Sequence, residues 1–434
     1  MSQIKRSSLR KRMHLVLRDL FARLPRSTRH AIYRRMAQCD PEPDARLELK
    51  IAETQEELEA SFRLLHDAYV AAGFMKPDPS GMRITVYHAL PTTTTLCAKY
   101  DGRVVGTISM IREGVFGFPM QAIFDLENVR AKGGQIAEIS ALAVHPDFRR
   151  TGGAILFPLM KFMHQYCSEY FDTRHLVIAV NPDKIELYEA LLYFERLQEK
   201  VVDSYDFANG APAVGATLDL AFAAELFKAG YKGRPAHKNL HKYFFQLKLE
   251  NIKLPHRRYF TTNDPVMTPQ LLDHFFNRIS PVLERMDDRK KALLWSIYNT
   301  YEYRSVLPML AGQALGSHPL RQHQRYSIKC PAHIVVPSEL PAQGQPREFD
   351  LSVIELSLSG FQARSLSELP VGQEAEAMVE LGKGLVSRVR VRVMRRKHTD
   401  EGEFYGFRLD EPDPIWRRCV SALELGQTST DLLQ

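Results

Sequence analysis

The run from Gln135 to Phe194 constrains the fold of this chain more than any other stretch. Ile136 to Val144 is mostly apolar and contains β-branched residues, which predicts a strand. His145-Pro146-Asp147 ends it, because proline removes a backbone donor and favours a turn. Arg149-Arg150-Thr151-Gly152-Gly153-Ala154 follows. Paired glycines let successive backbone N–H groups face one point, and the next helix aims its positive end there, so the loop suits an anionic group. Pro158 falls a little past the first turn of that helix, so the helix either starts late or kinks. His175 to Val180 predicts a second strand, which Asn181-Pro182-Asp183 turns into a helix carrying Tyr188.

Arg149-x-x-Gly152-x-Ala154 after one strand, with Asn181 and Tyr188 after the next, resembles the GNAT superfamily of N-acetyltransferases. Three phrases make it look most like the N-acyl amino acid synthases, which take long acyl chains from acyl carrier protein. They are Glu138-Ile139-Ser140-x-Leu142-Ala143-Val144, Asn181-Pro182 with Tyr188 downstream, and Tyr87-His88-Ala89-Leu90-Pro91. The resemblance covers roughly residues 45–310. It implies a donor site built from Val144, Arg149, Arg150, Gly152, Gly153, Ala154 and Asn181, holding the phosphopantetheine of an acyl carrier protein or an acyl-CoA. It also implies Glu138 as general base and Tyr188 as the acid that protonates the leaving thiolate. A carboxylate among apolar neighbours has its pKa raised toward working pH, which suits a base. The competing readings are a strand carboxylate paired with Arg149 or Arg150, and a tyrosine that merely packs on its helix. No Ser-His-Asp spacing or cysteine nucleophile is evident, so direct transfer is expected.

At 434 residues the chain has room for two or three domains. Its 5 cysteines, Cys39, Cys97, Cys167, Cys330 and Cys419, are scattered and show no Cys-x-x-Cys. That argues against a disulfide framework or a metal site and fits a reducing cytoplasm. No apolar run approaches the roughly 20 residues of a membrane span, and no secretory h-region opens the chain. The net charge of +7 permits acidic partners without choosing among them. Much of it lies in residues 1–38, where Leu9, Met13, Val16, Leu20 and Leu24 recur at helical spacing up to Pro25. Such a basic amphipathic helix fits docking on the body, acidic acyl carrier protein, or peripheral contact with anionic lipid at the inner membrane face.

Residues 1–44 therefore read as basic helix and linker, 45–216 as the acyltransferase core, and 217–310 as a helical extension. In the core, Leu47 to Ile51 predicts a strand and Thr54-x-x-Glu57 a capping box opening a helix through Tyr69. Asp101-Gly102 predicts a hairpin turn. Apolar residues recur at helical spacing from Leu218 to Leu226, Phe275 to Met286 and Ala292 to Leu307. Residues 311–320 read as a linker.

From there the period changes to two. Ser327–Val336, Phe349–Leu356, Gly360–Ser365, Ala375–Leu381, Val386–Arg395 and Phe404–Leu409 read as strands of a small antiparallel barrel, closed by a helix from Pro414 to Leu425. Arg321-x-x-x-Arg325 precedes the first strand, and Glu355-x-Ser357-x-x-Gly360 follows about one strand later. This pair on this strand pattern resembles the PilZ domain, the bacterial receptor module for cyclic di-GMP. The resemblance covers 321–426, leaves a tail at 427–434, and implies ligand contacts from Arg321, Arg325, Glu355, Ser357 and Gly360. The chemistry agrees: guanidinium forks grip phosphate and a guanine O6/N7 edge, and a carboxylate accepts from guanine N1–H and its amine. Glu355 stands where the family usually has Asp. Arg364 and Arg390 are further candidates.

The expected fold is an α+β and α/β multidomain chain: a GNAT-type acyltransferase with a helical extension, then a small PilZ-like antiparallel β-barrel. The expected function is fatty acyl transfer to an amine such as an amino acid, gated by cyclic di-GMP. The alternative is a catalytically dead core in a cyclic di-GMP effector that binds a partner protein. Nucleic-acid binding ranks low, since no base-reading motif is present.

Overall fold

The computed structural model describes residues 21, 23–114, 116–149, 151–205, 210–255, 267–310, 323–337, 346–382, 384–399 and 402–424. The chain forms two compact units. One comprises the chain up to Arg83 with Thr95–Glu113 and Gly117–Lys253; the other comprises Ile84–Thr94, Gly114–Phe116 and the chain from Leu254 onward.

The first unit is built on a mixed sheet. Its strands are β1 (Leu47–Ile51), β2 (Thr93–Tyr100), β3 (Arg103–Arg112), β4 (Gln135–Val144), β5 (Thr173–Val180), β6 (Glu195–Arg196), β7 (Val202–Tyr205) and β8 (Ala211–Asp219). The order is β1-β2-β3-β4-β5-β8-β6, with β7 paired to β8. β4 and β5 pair in parallel across a helical crossover, whereas β3 with β4 and β5 with β8 are antiparallel. Asp101 and Gly102 adopt φ of 49° and 77°, the positive values the β2–β3 hairpin requires.

Helices cover both faces: α1 (Arg26–Met36), α2 (Gln55–Ala72), α3 (Leu156–Phe171), α4 (Pro182–Leu192), α5 (Leu220–Gly230) and α6 (Leu240–Phe245). The expected capping box opens α2, where the Thr54 side chain accepts from the Glu57 N–H at 3.3 Å. α1 begins directly after Pro25 and docks on α4, with Arg26 at 2.8 Å from Glu189 and Arg34 donating to the Ala190 carbonyl at 3.1 Å. The basic amphipathic helix expected before Pro25, with its spacing from Leu9 to Leu20, lies outside the described residues. Pro158 sits in the first turn of α3, so the helix starts late and does not kink. Leu218 lies in β8, not in the helical run expected from that point. Asp219 makes the switch, capping α5 by accepting the Ala221 N–H at 3.0 Å.

In the second unit, α7 (Asp288–Ile297) and the short helical turns around it pack Tyr298 and Tyr303 inside. The Tyr298 hydroxyl donates to the Ala89 carbonyl at 2.7 Å, which ties the Tyr87–Pro91 phrase into this unit. The same unit holds a closed barrel of β9 (Arg325–Val336), β10 (Arg347–Ser357), β11 (Gly360–Ser365), β12 (Glu374–Glu380), β13 (Val386–Thr399) and β14 (Gly402–Leu409). Its order is β10-β11-β14-β13-β12-β9. Alternate residues such as Val389, Val391 and Val393 fill the core. Helix α8 (Pro414–Glu424) closes it with Trp416, fully buried and donating from Nε1 to the Ser357 carbonyl at 2.9 Å. The predicted linker, with Arg321, lies outside the described residues.

Candidate functional site

The first site is a fork in the sheet. β4 and β5 pair from Gln135–Thr173 to Glu138–Val177 and no further. Beyond that point Ile139–Val144 and Ile178–Val180 have no ladder between them, so backbone amides and carbonyls face the gap. Ala141, at φ 55°, adds a bulge opposite β3, where the register shifts between Thr107 and Ser109. The bulge resets the alternation of side chains. Ile139 and Leu142 turn toward α3, whereas Ala143 turns toward Leu64 and Leu65 of α2. Glu138, next to Ile139, points to the α2 side.

Glu138 is 2% exposed, and its Oε2 accepts the backbone N–H of Met120 at 3.0 Å. Burial raises its pKa to about 8, and that one hydrogen bond only partly opposes the shift. No cation pairs with it among the described residues. The Arg149 side chain instead donates from Nε to the Val144 carbonyl at 2.7 Å, and Arg150 lies outside the described residues. Tyr188 stands beyond the fork on α4, edge-on to Phe194 at 6.0 Å, with burial raising its pKa to about 12. Tyr69 of α2 and Ala141 both pack against the cluster of Leu64, Leu65 and Ala143, and the Arg83 guanidinium lies 4.5 Å over the Tyr69 ring.

The loop entering α3 has the geometry an anion needs. Gly152 and Gly153 adopt φ of 70° and 90°, and a Cβ on Gly153 would lie 2.4 Å from the Phe157 ring. The N–H groups of Gly152, Gly153 and Ile155 have no acceptor among the described residues. Asn181 has a second duty: its side-chain oxygen accepts from the Asp183 N–H at 2.8 Å and caps α4.

The fork opens into an apolar cavity between the sheet and α3, α5 and α6. Ile139, Leu142, Ile178 and Tyr188 bring it to the fork; Met163, Phe227 and Phe244 form its far wall. Its lining residues could not be named from the sequence, because they come from eight elements with no shared local pattern.

The second site lies on the barrel. Ser357 pairs directly with Gly360 on one side and Arg325 on the other, so the strands bring both motifs together. Arg325 donates from Nη1 to Glu355 at 2.6 Å, and Glu355 is 3% exposed. Gly360 is required by packing: a Cβ would sit 2.2 Å from the Phe407 carbonyl oxygen. A partly polar cavity is lined by Arg325, Ser357 and Gly360, and by His323, Arg395 and Arg408, which the sequence did not single out. The β13 bulge near Met394 and the bare Cα of Gly406 opposite Arg395 were the available signals. Arg364 and Arg390 are exposed and do not line this cavity. All five cysteines are buried and free. Among the described residues, no cluster could hold a metal ion and no helix is long and apolar enough to cross a membrane.

The fold joins an acyltransferase-like mixed sheet with helices and a closed six-stranded antiparallel barrel in one chain. Residues 60–219 match the family model of the N-acyl amino acid synthase FeeM, so this region is an acyltransferase domain. Among solved structures, FeeM from uncultured soil microbes is 25% identical, with 42% of this chain and 94% of that chain covered and a TM-score of 0.36. BjaI, a CoA-dependent acyl-homoserine lactone synthase seen with SAM and isopentyl-CoA, is 19% identical, with 44% and 92% covered and a TM-score of 0.32. The PilZ domain of YcgR from Escherichia coli, seen with c-di-GMP, is 17% identical, with 24% and 92% covered and a TM-score of 0.19. A search of curated proteins finds no match.

Proposed function

We propose that this protein transfers a fatty acyl group from a phosphopantetheine thioester, on acyl carrier protein or coenzyme A, to the amine of an amino acid. We further propose that its barrel binds cyclic di-GMP and that binding sets the transfer rate. The observation that carries the first part is Glu138 at the point where β4 and β5 part, with the apolar cavity opening from the same fork. The acyl chain would enter the cavity, the thioester carbonyl would sit in the gap, and the pantetheine phosphate would meet the Gly152–Ile155 amides. Arg149 and the β4 end at Val144 flank that path.

The amine arrives on the α2 side, where its nitrogen attacks the thioester carbon and Glu138 takes a proton. The C–S bond then breaks, and Tyr188 returns a proton to the thiolate. A tyrosine held near 12 keeps its proton until a thiolate forms. Arg83, over Tyr69 on the same side, is the cation suited to the acceptor's carboxylate. For the barrel, the support is the convergence of Arg325, Arg395 and Arg408 with Ser357 and Gly360 around one cavity, a set that matches a bis-phosphate with purine faces. Gating requires cyclic di-GMP to bind one arrangement of the protein better than another.

Lipid extracts of cells making the wild type or Glu138→Gln test the first part by mass spectrometry. N-acyl amino acids present in the former and absent in the latter support it; identical extracts refute it and favour a non-catalytic effector. Calorimetric titration of cyclic di-GMP tests the second, with Arg325→Ala as control.

A further inference from the structure

The apolar cavity carries one polar group that acyl transfer leaves unused. Of its lining side chains, only Tyr188 and His164 bear a hydrogen-bonding group. Tyr188 stands at the fork. His164 is on α3, one turn beyond Met160, against the rings of Phe245 and Phe244 at 5.1 and 6.1 Å. Neither ring nitrogen has a hydrogen-bond partner among the described residues, and the half-buried imidazole lines the cavity. Burial pushes its pKa down to about 4, so the ring is neutral and offers one donor and one acceptor. Its neighbour Lys161 is already engaged, donating to the Phe244 carbonyl at 3.2 Å.

A plain alkyl chain filling this cavity would leave the imidazole unmatched in a dry, apolar surround, which is costly. A chain with a hydroxyl at the right carbon would satisfy it. We propose that His164 selects a hydroxylated fatty acyl chain, with the hydroxyl placed beyond the thioester carbonyl where the chain passes the Phe244–Phe245 wall. This rests on the acyl-cavity reading above. A site built to hydrogen-bond a hydroxyl discriminates against the chain that lacks it far better than an apolar wall discriminates chain length.

The test is displacement of a fluorescent fatty acid from the full-length protein by saturated acids of one length, unsubstituted or carrying one hydroxyl at successive positions. The wild type should bind one or two neighbouring isomers about tenfold more tightly than the plain acid, equivalent to ~1.4 kcal/mol. His164→Phe should lose that preference while binding the plain acid at least as well, and His164→Gln, which keeps a donor and an acceptor, should retain part of it. If the plain acid matches every isomer in the wild type, or the preference survives in His164→Phe, the proposal fails. If no fatty acid displaces the probe, the acyl-cavity reading fails with it.

Discussion

Glu138 Oε2 lies 3.0 Å from the backbone nitrogen of Met120, the one hydrogen-bond donor it meets among the described residues. A 2% exposed carboxylate with one donor and no cation is held neutral across most of the physiological range, near pKa 8. Ionisation is then needed for its work as a base. Acyl transfer should rise with pH and level off above about 8, and Glu138→Gln should cost roughly 10²–10⁴-fold in rate. The linkage has the opposite sign. The folded pKa is raised, so stability contributed by this group is intact below the unfolded value near 4.5 and is lost as pH rises toward 8. Glu138→Gln should therefore gain stability over the wild type between those pH values, and thermal melts at pH 5 and 8 check it.

The Gly152–Gly153 loop gives a second prediction. Gly153→Ala meets a φ of 90° and the Phe157 ring at 2.4 Å, so the turn must move. The expected outcome is a rise of tenfold or more in the KM for the thioester donor, with a far-ultraviolet circular dichroism spectrum like the wild type. An unchanged donor KM would mean that the loop does not bind the donor.

In the barrel, Arg325→Ala should abolish the heat of cyclic di-GMP binding. It also strands Glu355, a carboxylate only 3% exposed whose Arg325 partner lies at 2.6 Å. A stability loss of ~1–3 kcal/mol should accompany it. Adding Glu355→Gln should recover much of the stability and none of the binding. Urea unfolding beside calorimetry separates the two effects.

Glu57 anchors the start of α2. Burial opposes its ionisation, but hydrogen bonds from Lys99 at 2.8 Å and Lys50 at 2.9 Å prevail and bring its pKa to about 2. The folded pKa is depressed, so this stability is present above about 4.5 and disappears as pH falls toward 2. Glu57→Gln should cost ~1–2 kcal/mol at pH 7 and little at pH 2.5, read from denaturant midpoints.

What the sequence revealed follows from how local each signal is. Glycine pairs, Asn-Pro and Asp-Gly punctuate the chain at fixed positions, so the donor loop, the α4 start and the β2–β3 turn could be read directly. Gly360–Ser365 emerged at its observed bounds because both of its ends carry turn chemistry. The fork was invisible, because register between β4 and β5 is a relation between residues far apart in the chain, such as Glu138 and Val177. The segment that delivers the Met120 N–H has no period to betray it. Arg395 and Arg408 look like any exposed strand arginine until the closed barrel brings them to the cavity that Arg325 also lines. Leu218 reads as helix in the sequence because the apolar run continues across Asp219, and only the cap marks the change.

The most direct test is thiol release by the purified full-length protein, given an acyl-CoA or acyl carrier protein thioester with and without a mixture of amino acids. The expected result is release that depends on the amine and is lost in Glu138→Gln. Release at equal rates in both proteins, or none from the wild type with any donor whether or not cyclic di-GMP is present, would contradict it.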